Sequence, residues 1–164
     1  LRTTVIGLTF AYCLGVAASA SALPLSINGT SAQGRAFHLD DDRGRVVAIT
    51  LVSRYTRKEL ERINAALTSE VGPDVKMVTV VDFIGIPRLF HGYARRKVVE
   101  GTQHTPVQFL VDDRGSWRAA LGAAPDKRVD IIVLDRAGEL RGHFVGVGEI
   151  EPARRLIREL TTTP

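Results

Sequence analysis

The stretch Gly44-Arg45-Val46-Val47-Ala48-Ile49-Thr50-Leu51-Val52-Ser53-Arg54-Tyr55-Thr56 decides the fold. Val46 to Val52 is a continuous, largely β-branched apolar run, as expected for a strand buried on both faces. Leu60, Ile63, Leu67 and Val71 then recur at helical spacing across 56–71. Gly72-Pro73 stops that helix, and Val75 to Val81 is a second buried strand. Together these make a βαβ unit, whose crossover is expected to be right-handed and its strands parallel.

Working outward, Arg35 to Leu39 reads as a short strand. Asp40-Asp41-Asp42-Arg43-Gly44 reads as the polar hairpin turn leading into Val46, and lacks the spaced ligands of a calcium loop. Asn28-Gly29-Thr30 reads as a further turn, although it also matches a glycosylation acceptor. Downstream, Pro87 opens a helix to about Val99, with Leu89, Phe90, Tyr93 and Ala94 expected on its inner side. Val107 to Val111 is a strand, and Ser116 to Leu121 a short helix closed by Gly122. Val129 to Leu134 pairs through the Asp135-Arg136-Ala137-Gly138 turn with Glu139 to Val145. Pro152 sits near the start of a last helix, where its missing N–H is not needed. That helix carries Ala153, Leu156, Ile157 and Leu160 as its apolar stripe. The expected whole is α/β, a mixed sheet with helices on both faces.

Composition sets the class. The 164 residues are 45% hydrophobic and 24% charged, the balance of an ordinary folded protein. One Cys excludes a disulfide framework and a Cys-built zinc or iron–sulfur site. A net charge of +4, from 22 Lys+Arg against 18 Asp+Glu, is too small and scattered for a nucleic-acid binder.

The amino-terminal segment reads separately. Arg2 precedes an uncharged, largely apolar run from Val5 to Ala18, followed by Ala18-Ser19-Ala20-Ser21-Ala22. A positive start, a short apolar core and an Ala-x-Ala exit describe a secretory signal peptide over residues 1–22, cleaved after Ala22 or Ala20. An uncleaved anchor is the alternative, although a membrane span needs about 20 apolar residues. Tyr12 before Cys13 does not fit a lipoprotein acceptor, so Cys13 is expected to leave with the signal. Residues 23–164 then form one domain without a thiol, placed in the periplasm or secreted, with no stable membrane insertion after cleavage.

The order of elements resembles the thioredoxin fold in its redoxin (thiol-specific antioxidant) branch. Gly44-Arg45-Val46-Val47-Ala48-Ile49 resembles the strand leading into a redoxin active site. Phe109-Leu110-Val111-Asp112-Asp113-Arg114-Gly115, with Ala119-Ala120-Leu121-Gly122, resembles the inserted strand and the helix after it. Ile131-Ile132-Val133-Leu134-Asp135-Arg136-Ala137-Gly138-Glu139-Leu140 resembles the closing hairpin. The likeness spans roughly Gly34 to Leu160. It implies a three-layer α/β/α domain with a mixed central sheet and a redoxin-type inserted helix and strand. Gln108-Phe109-Leu110-Val111-Asp112 is also similar to a strand of the exported YtfJ-like group, whose members lack the Cys pair.

What the resemblance implies for chemistry is a departure. Redox members place Cys-x-x-Cys, or one peroxidatic Cys, where the first buried strand meets its helix, because a helix N-terminus favours the thiolate. Ser53-Arg54-Tyr55-Thr56 stands at that place, and a hydroxyl cannot cycle through a disulfide or a sulfenic acid. The family's cis-Pro position falls on Val129, where a trans bond is expected. Thr56 to Glu59 reads as a capping box. No Gly-x-Ser-x-Gly elbow surrounds Ser53, so it is not read as a nucleophile.

The expectation is therefore a domain with no catalytic residue and no cofactor. It binds an exported or envelope protein through the former active-site edge, with Arg54, Tyr55, Ile84 and Val129 as candidate contacts, since open α/β sheets bind ligands there. The alternative is a redoxin-type oxidoreductase or antioxidant protein acting without a thiol of its own or with a partner's. His38, His91, His104 and His143 lack helical metal-pair spacing, and no metal site is expected. Arg95-Arg96-Lys97, with Arg88 nearby, reads as a solvated helix face, with weak attraction to anionic lipid head groups as its functional alternative.

Overall fold

The computed structural model describes residues 25–53, 56–102, 105, 107–123 and 128–162. The proposed signal segment, including Cys13, lies outside them. In chain order the elements are β1 (Asn28–Ser31), β2 (Ala36–His38), β3 (Val46–Val52), α1 (Arg57–Leu67), β4 (Val75–Asp82), α2 (His91–Thr102), β5 (Gln108–Asp112), α3 (Ser116–Ala120), β6 (Asp130–Leu134), β7 (Leu140–Val145) and α4 (Ile150–Thr162).

One seven-stranded sheet carries them in the order β2-β1-β5-β4-β3-β6-β7. β3 runs parallel to β4, and β4 to β5, while β6 is antiparallel to β3 and β7 antiparallel to β6. The expected βαβ crossover is thus present, and all seven residues of β3 are buried. Alternation along β3 divides the core in two. Val47, Ile49 and Leu51 face a layer containing Trp117 and Leu121 from α3. Val46, Ala48 and Val52 face Ile63 and Leu67 of α1 and Ala153 and Ile157 of α4. α2 packs beyond these, with Ala94, Val98 and Val99 against Phe83 and Val111. The inward Thr50 is satisfied internally, its hydroxyl 2.8 Å from that of Thr79.

Four local expectations are corrected. Asn28-Gly29-Thr30 is not a turn but strand β1, paired with β2 on one side and β5 on the other. Gly29 is there for close approach: a Cβ would stand 3.1 Å from Trp117 Nε1. The turn that closes β1 onto β2 lies at residues 32–35, where Gly34 takes φ +85°. Asp40 to Asp42 consequently does not turn a hairpin. It lies in a 3-10 turn, Leu39–Asp42, that carries the chain from the sheet edge to its centre.

α1 stops at Leu67, because the Thr68 and Ser69 hydroxyls donate to the carbonyls of Asn64 and Ala66 at 2.6 and 2.9 Å. Finally, Pro87 precedes a 3-10 turn, Arg88–Phe90, that puts Leu89, Phe90 and Tyr93 outside, at 88%, 53% and 56% exposure. Only Ala94 of the expected inner set packs inward.

Candidate functional site

β3 delivers Ser53 to the carboxyl edge of the sheet, where α1 begins. The Thr56 hydroxyl donates to the Ser53 carbonyl at 2.9 Å and accepts from the Ser53 N–H at 3.2 Å. Thr56 is itself buried. Its oxygen is therefore spent on closing the strand-to-helix loop, not on capping α1. Arg54 and Tyr55 fall outside the described residues.

Glu59 does not reach back to the helix start, which corrects the capping-box reading. Its Oε2 accepts the Val129 N–H at 3.2 Å. The Val129 carbonyl accepts from the Gly146 N–H at 2.8 Å. Glu59 thus ties α1 to the segment entering β6, at the position where the resemblance places a proline. A proline has no N–H to donate, so this tie requires another residue there. All described peptide bonds are trans, that at Val129 among them. The Val129 side chain is fully buried in the core beneath α1 and α4. It presents nothing to a partner, and the candidate contact at Val129 is corrected to an internal support.

Ser53 and the loop after β4 do come together. Both border a cleft of about 940 Å³ between α1 and α2, lined by Leu60, Phe83, Ile86, Phe90, Tyr93 and Phe109 among others. The walls are mainly apolar, with Asn64 and Thr102 on opposite sides and Arg57 and Lys97 at the rim. Ile84 is half exposed, but its side chain lies against Gly115 at the start of α3, away from this cleft. Of the sequence candidates that are described, only Ser53 lines the cleft.

Beside the cleft, three strand ends carry aspartates that the sequence reading did not single out. Asp112 accepts from the backbone N–H groups of Arg114, Ser116 and Trp117 and from the Ser116 hydroxyl, at 2.8–3.2 Å, and so starts α3. Asp82 and Asp130 flank the guanidinium of Arg118, with Nε donating to Asp82 at 3.0 Å and Nη1 to Asp130 at 3.1 Å. All three side chains are 3–5% exposed. The second oxygen of Asp82 accepts the Ile84 N–H at 2.6 Å, and that of Asp130 lies 2.8 Å from His143 Nε2. This network clamps the ends of β4 and β6 to α3. An Asp at one end of an otherwise apolar strand, closing β4 and β5 and opening β6, was the available signal.

The remaining histidines are accounted for separately. His38 bonds Asn28 at 2.7 Å, and His91 bonds the Ile86 carbonyl at 2.8 Å. His104 is outside the described residues. No cluster of His, Cys, Asp and Glu able to hold a metal occurs among the described residues.

No protein-family model matches the chain, and no curated protein matches it in sequence. Solved structures do match its fold. The pneumococcal exposed lipoprotein thioredoxin of Streptococcus pneumoniae superposes with a TM-score of 0.68 at 18% identity, over 83% of this chain and 100% of that one. The dsbF protein of MTB gives 0.63 at 17% identity, over 84% and 98%. A thioredoxin-family thiol:disulfide interchange protein of Chlorobium tepidum gives 0.64 at 16%, over 88% and 99%. The fold is thioredoxin-like.

Proposed function

We propose that this chain is an exported thioredoxin-like domain that has given up thiol chemistry and binds a partner protein at the former redox edge. The observation that carries the reading is the state of that edge. On the resemblance, Ser53 and Thr56 take the positions of the family's sulfurs, and the Thr56 hydroxyl is bonded into its own loop. An apolar cleft opens directly beside them. Such a cleft suits a protein segment presenting apolar side chains, whose burial supplies the affinity.

Residues 1–22 are read as a signal peptide and 23–164 as the exported domain, near the YtfJ-like group. The extracytoplasmic placement draws support from the exposed lipoprotein among the matching structures. A second reading, oxidoreductase or antioxidant action with a thiol supplied by a partner, draws support from the interchange proteins that share the fold.

Photo-crosslinking in the intact envelope separates these. A probe replacing Tyr55 should give one discrete adduct, and a control probe replacing Arg158 on α4 none. Equal smearing at both positions would sink the docking reading. Disulfide and peroxide reduction by the purified protein should stay at background. Turnover on adding the crosslinked partner would instead favour the second reading.

A further inference from the structure

Six large hydrophobic side chains are exposed among the described residues, and four of them, Ile84, Leu89, Phe90 and Tyr93, fall within one stretch of ten residues. Ile84 leans on Gly115. The other three begin a helix whose inner side is already occupied. Ala94, Val98 and Val99 pack on the core, and Arg95 reaches Asp113 at 3.0 Å. His91 lies 3.3 Å from the same carboxylate. The outer side is left with Leu89, Tyr93, Arg96 and Lys97, spaced so that they form one stripe.

Two properties of this stripe matter. It projects: Leu89 is 88% exposed, so it stands out from the surface and fills no groove of its own chain. It is also basic: Arg88–Thr102 holds Arg88, Arg95, Arg96 and Lys97 against the single acid Glu100, and with Lys97 paired to Glu100 at 2.7 Å and Arg95 to Asp113 at 3.0 Å, Arg88 and Arg96 carry the excess. The Lys97 ammonium lies 5.8 Å from the centre of the Tyr93 ring, which places a cation at the border of the apolar knob. A projecting apolar knob with an aromatic ring at its edge and cations behind it matches the layering of a membrane interface. Apolar groups enter the acyl boundary there, rings sit at head-group level, and basic side chains extend their heads to phosphate. The excess of cations commits the partner to an anionic lipid surface.

We propose that the segment from Arg88 to Lys97 docks the domain on an anionic bilayer, with Leu89, Phe90 and Tyr93 entering the interface and Arg88, Arg96 and Lys97 meeting the head groups. This is surface attachment and not a span, since no described helix is long and apolar enough to cross a membrane. Phe90, Tyr93 and Lys97 also border the cleft beside Ser53, so a bilayer and a partner in that cleft would compete for them. Attachment to lipid rests on Leu89 and the cations and not on the docking proposed at Ser53.

The test uses the full chain carrying Leu89→Trp, with Arg158→Trp on α4 as its control, and the buried Trp117 as a constant background in both. Vesicles contain phosphatidylglycerol and phosphatidylcholine in about equal parts, or phosphatidylcholine alone, with brominated acyl chains as quencher. The emission of the 89 variant should shift to the blue and be quenched on anionic vesicles, and the 158 variant should not respond. Reversing Arg88, Arg96 and Lys97 to Glu together should weaken vesicle binding by roughly a hundredfold or more, at about fivefold lost per cation removed. An unchanged emission at position 89 overturns the proposal. So do equal responses at both positions, which mean that another segment holds the chain, and a triple reversal without effect.

Discussion

Glu59 shows how one side chain is reassigned by what stands across from it. In sequence it completes a Thr-x-x-Glu pattern, and its carboxylate is expected at the start of its own helix. In the folded chain the Thr56 oxygen is already taken by Ser53, and a stronger claim comes from the buried Val129 N–H, which has no other described acceptor. Leaving such a donor unsatisfied costs about 1–3 kcal/mol. Glu59→Ala should lower stability by about that much in urea unfolding. In a Val129→Pro background, where the donor is gone, the same change should cost much less. An equal cost in both backgrounds would return Glu59 to the helix start.

At the level of elements, one ion network holds the sheet to α3 and another ties the end of α1 to α4, and they differ in burial. Arg118 is enclosed between Asp82 and Asp130. Arg118→Met should cost about 3–5 kcal/mol, because two carboxylates are left facing one another without a cation. A thermal or urea loss below about 1 kcal/mol would show that water reaches the cluster freely.

Glu70, after α1, accepts from Arg158 at 2.6 Å and Arg154 at 2.9 Å on α4. The Arg158 hydrogen bond, opposed by some burial and helped by Arg154, lowers its pKa from 4.5 to about 2. A lowered carboxylate pKa stabilises the fold fully above 4.5, and the contribution is lost as the pH falls from there towards 2. Arg158 is half exposed, so solvent screening reduces the effect to the order of 1 kcal/mol. Glu70→Gln should flatten the stability profile in that acid window and leave its slope at neutral pH unchanged.

The central elements were legible because a fully buried strand has one reading. Val46 to Val52 and Val75 to Val81 are too apolar to lie anywhere but between two layers. The edge was harder. β1 contains Asn28 and Gly29, residues that favour turns locally, and becomes a strand only because β2 and β5 pair with it and Trp117 needs the space above Gly29. α2 misled for the opposite reason. Its apolar residues read as a core face, but the 3-10 turn at Arg88–Phe90 rotates Leu89 and Tyr93 outward.

For the molecule as a whole, sequence alone determined which side chains are available at the junction of β3 and α1. Ser53 and Thr56 bring hydroxyls to that junction, and the single Cys of the sequence stands at position 13. Reductant should accordingly leave the unfolding midpoint of the monomer unmoved, since one cysteine forms no internal disulfide. Sequence also determined the order of elements from β3 onward, because hydrophobic period and turn residues are local signals. Tertiary structure alone decided which groups meet. The cleft beside Ser53, the Arg118 clamp between strands far apart in sequence, and the outward turn of Leu89 each depend on distances between separate elements. Local propensity carries no record of those distances; packing does.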